Sequence, residues 1–194
     1  MLSVNGARLL ERINELGTIG KDEEGRRTRL AASDTEKQGR DKVVSWMEDA
    51  DLKVVVDRIG NIFGIWETAE NKDKKPLMIG SHIDTVINAG QYDGCLGVIG
   101  AIEVIRTLKE AGRQSERPIV VTNEEGVRYS PDMMGSLVYA GGLPVDQVLK
   151  TVGTDGTILG EELKRIGYAG SVEPGFLQPE AFVELHIEQG TILD

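Results

Sequence analysis

The sequence predicts an α/β domain whose mixed, partly parallel sheet is flanked by helices. Three observations lead there. PLMIG (76–80) and RPIVV (117–121) are short apolar runs that suit buried strands. The segment between them, GCLGVIGAIEVIRTLKEAG (94–112), carries apolar residues at helical spacing and has the length of a crossover. A chain of 194 residues with 40% apolar and 28% charged residues is globular and long enough for a sizeable core.

Each element follows from local pattern. Val4, Ala7, Leu10, Ile13 and Leu16 recur at spacings of three, which places one apolar stripe on an N-terminal helix. Ser33 and Glu36 form a capping-box pair ahead of KQGRDKVVSWMEDADL, so a second helix with Val43, Val44, Trp46 and Met47 inward ends near Ala50. LKVVVDRIG and NIFGIW are β-branched and aromatic runs meeting at Gly60 and Asn61, a hairpin signature. TAENKDKKP is a solvated loop. PLMIG, the long helix and RPIVVTN follow as strand, helix and strand. Residues 131–170 hold many glycines and short helical pieces around DQVLK and GEELKRIG, and FVELHIE is expected as a final core strand.

Charge and cysteine content exclude whole classes of function. Lys and Arg number 22 against 32 Asp and Glu, a net charge of −10 that repels phosphate backbones and anionic lipids, so neither nucleic acid nor a membrane surface is expected as partner. The single cysteine, Cys95, allows no intrachain disulfide and no multi-cysteine zinc site, and favours a reducing compartment. The N-terminal MLSVNGARLLERINEL lacks a basic start with an apolar run, and no stretch nears the ~20 apolar residues of a membrane span. A cytoplasmic protein is expected.

In α/β sheets, ligands bind beyond the carboxyl ends of strands. Three polar clusters lie there: His82, Asp84 and Asp93 in GSHIDTVINAGQYDG; Glu124 and Glu125 in TNEEGVRYSPDMMGS; and Glu184, His186, Glu188 and Gln189 in ELHIEQG. Both histidines of the chain fall within them. Imidazole and carboxylate donors from separate strand ends are the ligand set of zinc and similar divalent ions. Asp84 can accept a hydrogen bond from the imidazole nitrogen of His82 that holds no metal. Asp93, in a turn before a helix, serves either as a cap or as a bridge between two ions. The adjacent glutamates are either a charged loop or a pair in which one binds metal and the other is the general base toward the attacking water. Cys95 reads as a packing residue, and Trp46, Trp66, Met133 and Met134 as core.

Taken together, GSHIDTVINAGQYDGCLGV, TNEEGVRYSPDMMGS and ELHIEQG resemble the amidase, hydantoinase and carbamoylase branch of the binuclear zinc peptidase superfamily, which includes N-carbamoyl-L-amino acid hydrolases, allantoate amidohydrolases and β-ureidopropionases. INELGTIG, TRLAAS and VVVDRIGNIFGIW extend the likeness over essentially the whole chain. The resemblance implies a zinc-peptidase-like catalytic domain that cleaves linear ureido C–N bonds with two divalent ions per complete site, zinc, manganese, cobalt or nickel. It implies that His82 and His186 bind one ion, Glu125 the other, and that Asp93 bridges them. Glu124 would be the general base, Asp84 would orient His82, and Gln189 would help hold a small ureido substrate.

Members of that branch continue past HIEQG into a dimerisation and lid domain, then return with a further histidine ligand. The resemblance therefore implies that residues 1–194 are the N-terminal portion of the catalytic domain, incomplete at its C-terminus, with a homodimer or a separate second-half chain completing the enzyme. Two other readings stand beside it: a metal-binding or interaction module without turnover, and an aminoacylase or dipeptidase. The histidine of HIEQG speaks against the last, because relatives acting on peptides place a carboxylate there.

Overall fold

The computed structural model describes residues 2–113, 117–121 and 124–189; Thr122, Asn123 and Gly190 of the quoted motifs lie outside them. Helix α1 (Gly6–Leu16) starts where the Asn5 side chain accepts the Arg8 N–H, and it buries Ile13 and Leu16. Helix α2 (Asp34–Glu48) is capped by Ser33, which accepts the Glu36 N–H at 3.1 Å. The return half of the expected capping box is shifted: the Glu36 carboxylate takes the N–H of Ala32 and pairs with Arg40 at 2.8 Å, both side chains being fully buried. Val43, Trp46 and Met47 point inward as their spacing predicts.

Strands β1 (Lys53–Val56) and β2 (Ile62–Ile65) form the expected antiparallel hairpin. Its turn is built on Asp57, whose carboxylate accepts the N–H groups of Ile59 and Asn61 and the Asn61 side-chain amide. Strand β3 (Leu77–His82), helix α3 (Cys95–Glu110) and strand β4 (Arg117–Val121) follow, then the short helices α4 (Met134–Tyr139), α5 (Val145–Val148) and α6 (Leu159–Arg165), and strand β5 (Ala181–Val183). The sheet runs β1-β2-β4-β3-β5. β4 and β5 both pair parallel with β3, while β2 pairs antiparallel with β1 and β4, so the sheet is mixed. No helix among the described residues is long and apolar enough to cross a membrane.

Successive β2 side chains divide between two cores, as the pleat requires. Ile62 joins the main core with Ile13, Met47, Val98 and Ile102 from the three long helices. Gly64 faces the same way, where any Cβ would meet Met47 and Leu52 at 3.0 Å. Phe63 and Ile65 join Met78 on the opposite face, with the Phe63 ring 5.4 Å from Tyr139 and edge-on to Phe176 at 4.9 Å.

Two expectations change. FVELHIE is not a core strand: β5 is three residues long, lies at the sheet edge and exposes Phe182 and Val183, with Leu185 exposed just beyond it, because it pairs only with β3 among the described residues. Met133 is not core either. It is half exposed at a left-handed φ of 53°, ahead of α4, and its N–H is spent on the Glu124 carbonyl at 2.7 Å. Trp46, Trp66 and Met134 are buried as expected.

Candidate metal centre

The three parallel neighbours β4, β3 and β5 deliver the residues after them to one end of the sheet. His82 is the last residue of β3. Asp93 directly precedes Gly94, the N-cap of α3. Glu124 and Glu125 follow β4, and His186 follows β5. All five converge: one donor atom each from His82, Asp93 and His186 lie within 4.8 Å of one another, as do donors from His82, Glu124 and Glu125.

Hydrogen bonding sets the histidine tautomers. His82 Nδ1 lies 2.9 Å from the Asp84 carbonyl oxygen, and His186 Nδ1 lies 2.9 Å from that of Ile187. A carbonyl carries no proton, so each neutral ring donates from Nδ1 and leaves Nε2 with a bare lone pair. Those Nε2 atoms face each other at 3.3 Å, with the rings stacked at a centroid distance of 5.6 Å. Asp93 Oδ1 joins them at 3.3 Å from His186 Nε2 and 3.7 Å from His82 Nε2. That oxygen and Glu125 Oε1 are buried without a hydrogen-bond partner among the described residues. The two Nε2 atoms and the carboxylate oxygens are converging acceptors that repel unless a proton or a cation sits among them, so the residues fit a divalent ion. Mixed imidazole and carboxylate donors suit zinc, manganese, cobalt or nickel.

Carboxylate crowding points the same way. Burial, followed by the hydrogen bond and charge of Asp93 and the charges of Asp84 and Glu124, pushes the Glu125 carboxyl up to about 8. A bound cation would reverse that shift. The N-cap position of α3 is Gly94, and Asp93 stands one residue before it.

Asp84 differs from expectation in the atom it uses. Its main-chain carbonyl, not its carboxylate, holds the His82 ring; the nearer carboxylate oxygen stays 3.8 Å from His82 Nδ1. The carboxylate is taken up instead by the backbone N–H groups of Glu124 and Glu125, each at 3.2 Å. One buried aspartate thus fixes the imidazole through its backbone and the glutamate turn through its side chain. Gln189 lies exposed three residues beyond His186.

Two glycines and a serine complete the geometry, and residue-type reasoning passed over them. At Gly94, with φ of 61°, a Cβ would stand 2.5 Å from the His82 carbonyl oxygen and 2.6 Å from its ring. At Gly97 a Cβ would meet the Leu185 carbonyl oxygen at 2.6 Å, so only glycine lets the segment leading to His186 cross α3. Ser81 donates to Glu184 and ties that segment to β3. The available signal was two glycines three residues apart at the start of a helix, where alanine would be the better helix former.

A mixed sheet that gathers imidazoles and carboxylates at the ends of its parallel strands defines a zinc-peptidase-like catalytic domain. Residues 78–194 match the peptidase family M20/M25/M40, and the chain belongs to that family. It is 39% identical to an N-carbamoyl-L-amino-acid amidohydrolase of Rhizobium meliloti over 98% of its own length and 46% of that protein's. It is 40% identical to a probable allantoate deiminase of Oryza sativa subsp. japonica over 94% of its length and 39% of that protein's. A solved hydantoinase/carbamoylase family amidase from Burkholderia ambifaria superposes with a TM-score of 0.94 at 38% identity, covering 100% of this chain and 48% of that one. The chain spans about half the length of these relatives, and the family match over residues 78–194 spans both histidines and Asp84, Asp93, Glu124 and Glu125.

Proposed function

We propose that residues 1–194 are the N-terminal portion of the catalytic domain of a divalent-metal-dependent amidohydrolase that cleaves linear ureido C–N bonds, those of N-carbamoyl-L-amino acids or allantoate. The observation that carries this reading is the convergence of two bare imidazole nitrogens and the unpartnered oxygen of Asp93 at one end of the sheet. The names of the relatives supply the substrate class.

In this reading His82, His186, Asp93 and Glu125 hold the metal, and Glu124 is the general base. Bound divalent ions would polarise the ureido carbonyl and acidify a water beside it. Glu124 keeps its carboxylate partly open, 31% exposed, with Oε2 3.5 Å from His82 Nε2. From there it accepts the proton of the attacking water and returns it to the departing nitrogen, as an acid–base group must when a C–N bond breaks. The carbamate so released loses carbon dioxide. Asp84 holds both glutamate N–H groups, so base and ligand keep their relative placement through the cycle. Gln189 contacts the ureido substrate, and a homodimer or a second-half chain completes the enzyme.

Ammonia release from N-carbamoyl-L-amino acids and from allantoate tests the proposal, measured with saturating zinc or manganese on this chain joined to the half its relatives carry beyond it. Turnover of either class is expected. A metal-loaded protein that releases ammonia from neither would overturn the substrate assignment.

A further inference from the structure

A guanidinium is buried next to the candidate metal centre, and among the described residues its partners are two carbonyls and a thiol rather than carboxylates. Arg29 is 1% exposed. Its Nε donates to the Ile83 carbonyl oxygen at 2.6 Å, Nη1 to the Ile19 carbonyl oxygen at 3.1 Å, and Nη2 to Cys95 Sγ at 3.0 Å. Its main chain is paired as well: Arg29 N–H donates to Thr85 Oγ1 at 2.9 Å, and Thr85 N–H donates to the Arg29 carbonyl at 3.0 Å. Helix α2 packs against the stem of this side chain at Gly39, where a Cβ would stand 2.9 Å from Arg29 Cδ.

Burying a guanidinium without an ionic partner is costly, so a chain that does it gains something else from the three directed bonds. Two of the acceptors lie next to the metal donors. Ile83 sits between His82 and Asp84, and Cys95 is two residues after Asp93. The planar fork spans both, joining the end of β3 to the start of α3 in a way the single ammonium of a lysine cannot copy.

We propose that Arg29 is a positioning residue of the metal centre: by holding the Ile83 carbonyl and the Cys95 thiol, it sets the spacing between His82 and Asp93. The inference rests on the metal reading of the site. Charge and geometry have opposite consequences here. A buried cation repels a metal ion, so on charge alone Arg29→Met would tighten binding; acting as a brace, Arg29 makes the same substitution weaken it.

The experiment titrates the 194-residue chain with zinc against a chromogenic chelator and records the visible spectrum of its cobalt form, which reports donor geometry. Arg29→Met is expected to lower zinc affinity ~10–100-fold, the range for partners that orient metal ligands, and to alter the cobalt spectrum. Arg29→Lys should recover part of the loss. Cys95→Ala should lose affinity several-fold, while Cys95→Ser, which keeps an acceptor for Nη2, should remain near wild type; this pair decides the matter if Arg29→Met does not fold. Unchanged or tighter binding in folded Arg29→Met overturns the proposal, as does wild-type affinity in both Cys95 variants. No zinc binding by the wild-type chain overturns the metal reading itself, and the proposal with it.

Discussion

His82 and His186 present their Nε2 atoms to each other at 3.3 Å, each ring turned by a main-chain carbonyl on its Nδ1 side. These two backbone contacts aim the rings at each other. His82 belongs to both donor groups and His186 to one. His82→Ala should abolish tight binding, and His186→Ala should reduce affinity by more than the ~10–100-fold typical of outer partners. In the proposed division, with Glu124 as base, His82, His186 and Asp93 would serve one ion and Asp93 with Glu125 would serve the other. Elemental analysis after dialysis should then find one firmly held ion per chain. Two firmly held ions would show that this division of donors is wrong.

Gly94 and Gly100 lie six residues apart and differ in what a methyl group would meet. At Gly94 it strikes the His82 backbone and ring within 2.6 Å at a positive φ of 61°. At Gly100 it meets only Leu185 Cδ2 at 3.7 Å. Gly94→Ala should cost about 1–3 kcal/mol or more through backbone strain and overpacking, and it should weaken zinc binding by displacing His82. Gly100→Ala should be neutral or stabilising by up to ~1 kcal/mol through helix propensity. Urea unfolding of both variants with and without zinc makes the comparison, and equal effects would remove the steric account of Gly94.

The loop that follows Glu125 is anchored by Arg128, a buried side chain that reaches Glu162 at 2.8 Å, Asp155 at 2.9 Å and the Ala31 carbonyl at 2.9 Å. The hydrogen bond from Arg165, with a further one from Arg128, outweighs desolvation and holds the Glu162 carboxyl down at about 2. A carboxyl with a lowered folded pKa binds fewer protons folded than unfolded, so its stabilisation is complete above the ordinary value near 4.5 and is lost as pH falls toward 2. Glu162→Gln should cost about 1–3 kcal/mol near neutral pH, the scale of hydrogen bonds to charged groups. The gap between wild type and variant in urea midpoint should close on acidification from pH 4.5 to 2. A gap that stays constant with pH would mean that Glu162 acts by packing rather than charge.

Much of this arrangement is legible in the sequence because it is local. The existence of α1, the Ser33 cap, the hairpin at Asp57–Asn61 and the long α3 follow from spacing and turn chemistry, although of the expected α1 stripe only Ile13 and Leu16 are buried, while Val4, Ala7 and Leu10 are exposed. So does the placement of Glu124, Glu125 and His186 just after strands, and of His82 at the end of one. What spacing could not give depends on contacts between distant segments. That Asp84 spends its carboxylate on Glu124 and Glu125, some forty residues away, follows from parallel β3–β4 pairing. The exposure of β5 depends on its place in the strand order, which its apolar composition does not encode. Arg29 reads as one more charged residue until Gly39 and Cys95 are seen against it.

That exposed edge has a consequence in solution. Val183 and Leu185 are more than half exposed and, with Val4, Leu9, Leu77 and Ile79, line an apolar groove of about 390 Å³ beside α3. The outer edge of β5 pairs with no strand among the described residues. Unpaired edges with apolar side chains associate. Sedimentation velocity across a concentration series should show reversible self-association of the 194-residue chain, and Val183→Lys should suppress it. A monomer at every concentration would mean that the edge is protected.

Glu124 and Glu125 share an anchor and should separate in function. Asp84 takes both backbone N–H groups at 3.2 Å, so neither substitution disturbs how the turn is held. The side chains diverge from there: Glu125 has a buried, unpartnered Oε1 and crowds Asp93, whereas Glu124 remains partly open toward His82. In the chain joined to its relatives' second half, Glu124→Gln should retain metal while losing ~100-fold to 10,000-fold in turnover, because an amide cannot accept the proton of the attacking water. Glu125→Gln should instead lower metal affinity, with activity recovering in part as metal is raised, because an amide oxygen is a neutral and weaker donor. Metal content and ammonia release are measured on both variants across a zinc or manganese series. If Glu124→Gln loses metal and Glu125→Gln keeps it, the two roles are exchanged. If both lose metal equally, neither is free to act as the base, and the proton must be taken by a group outside this turn.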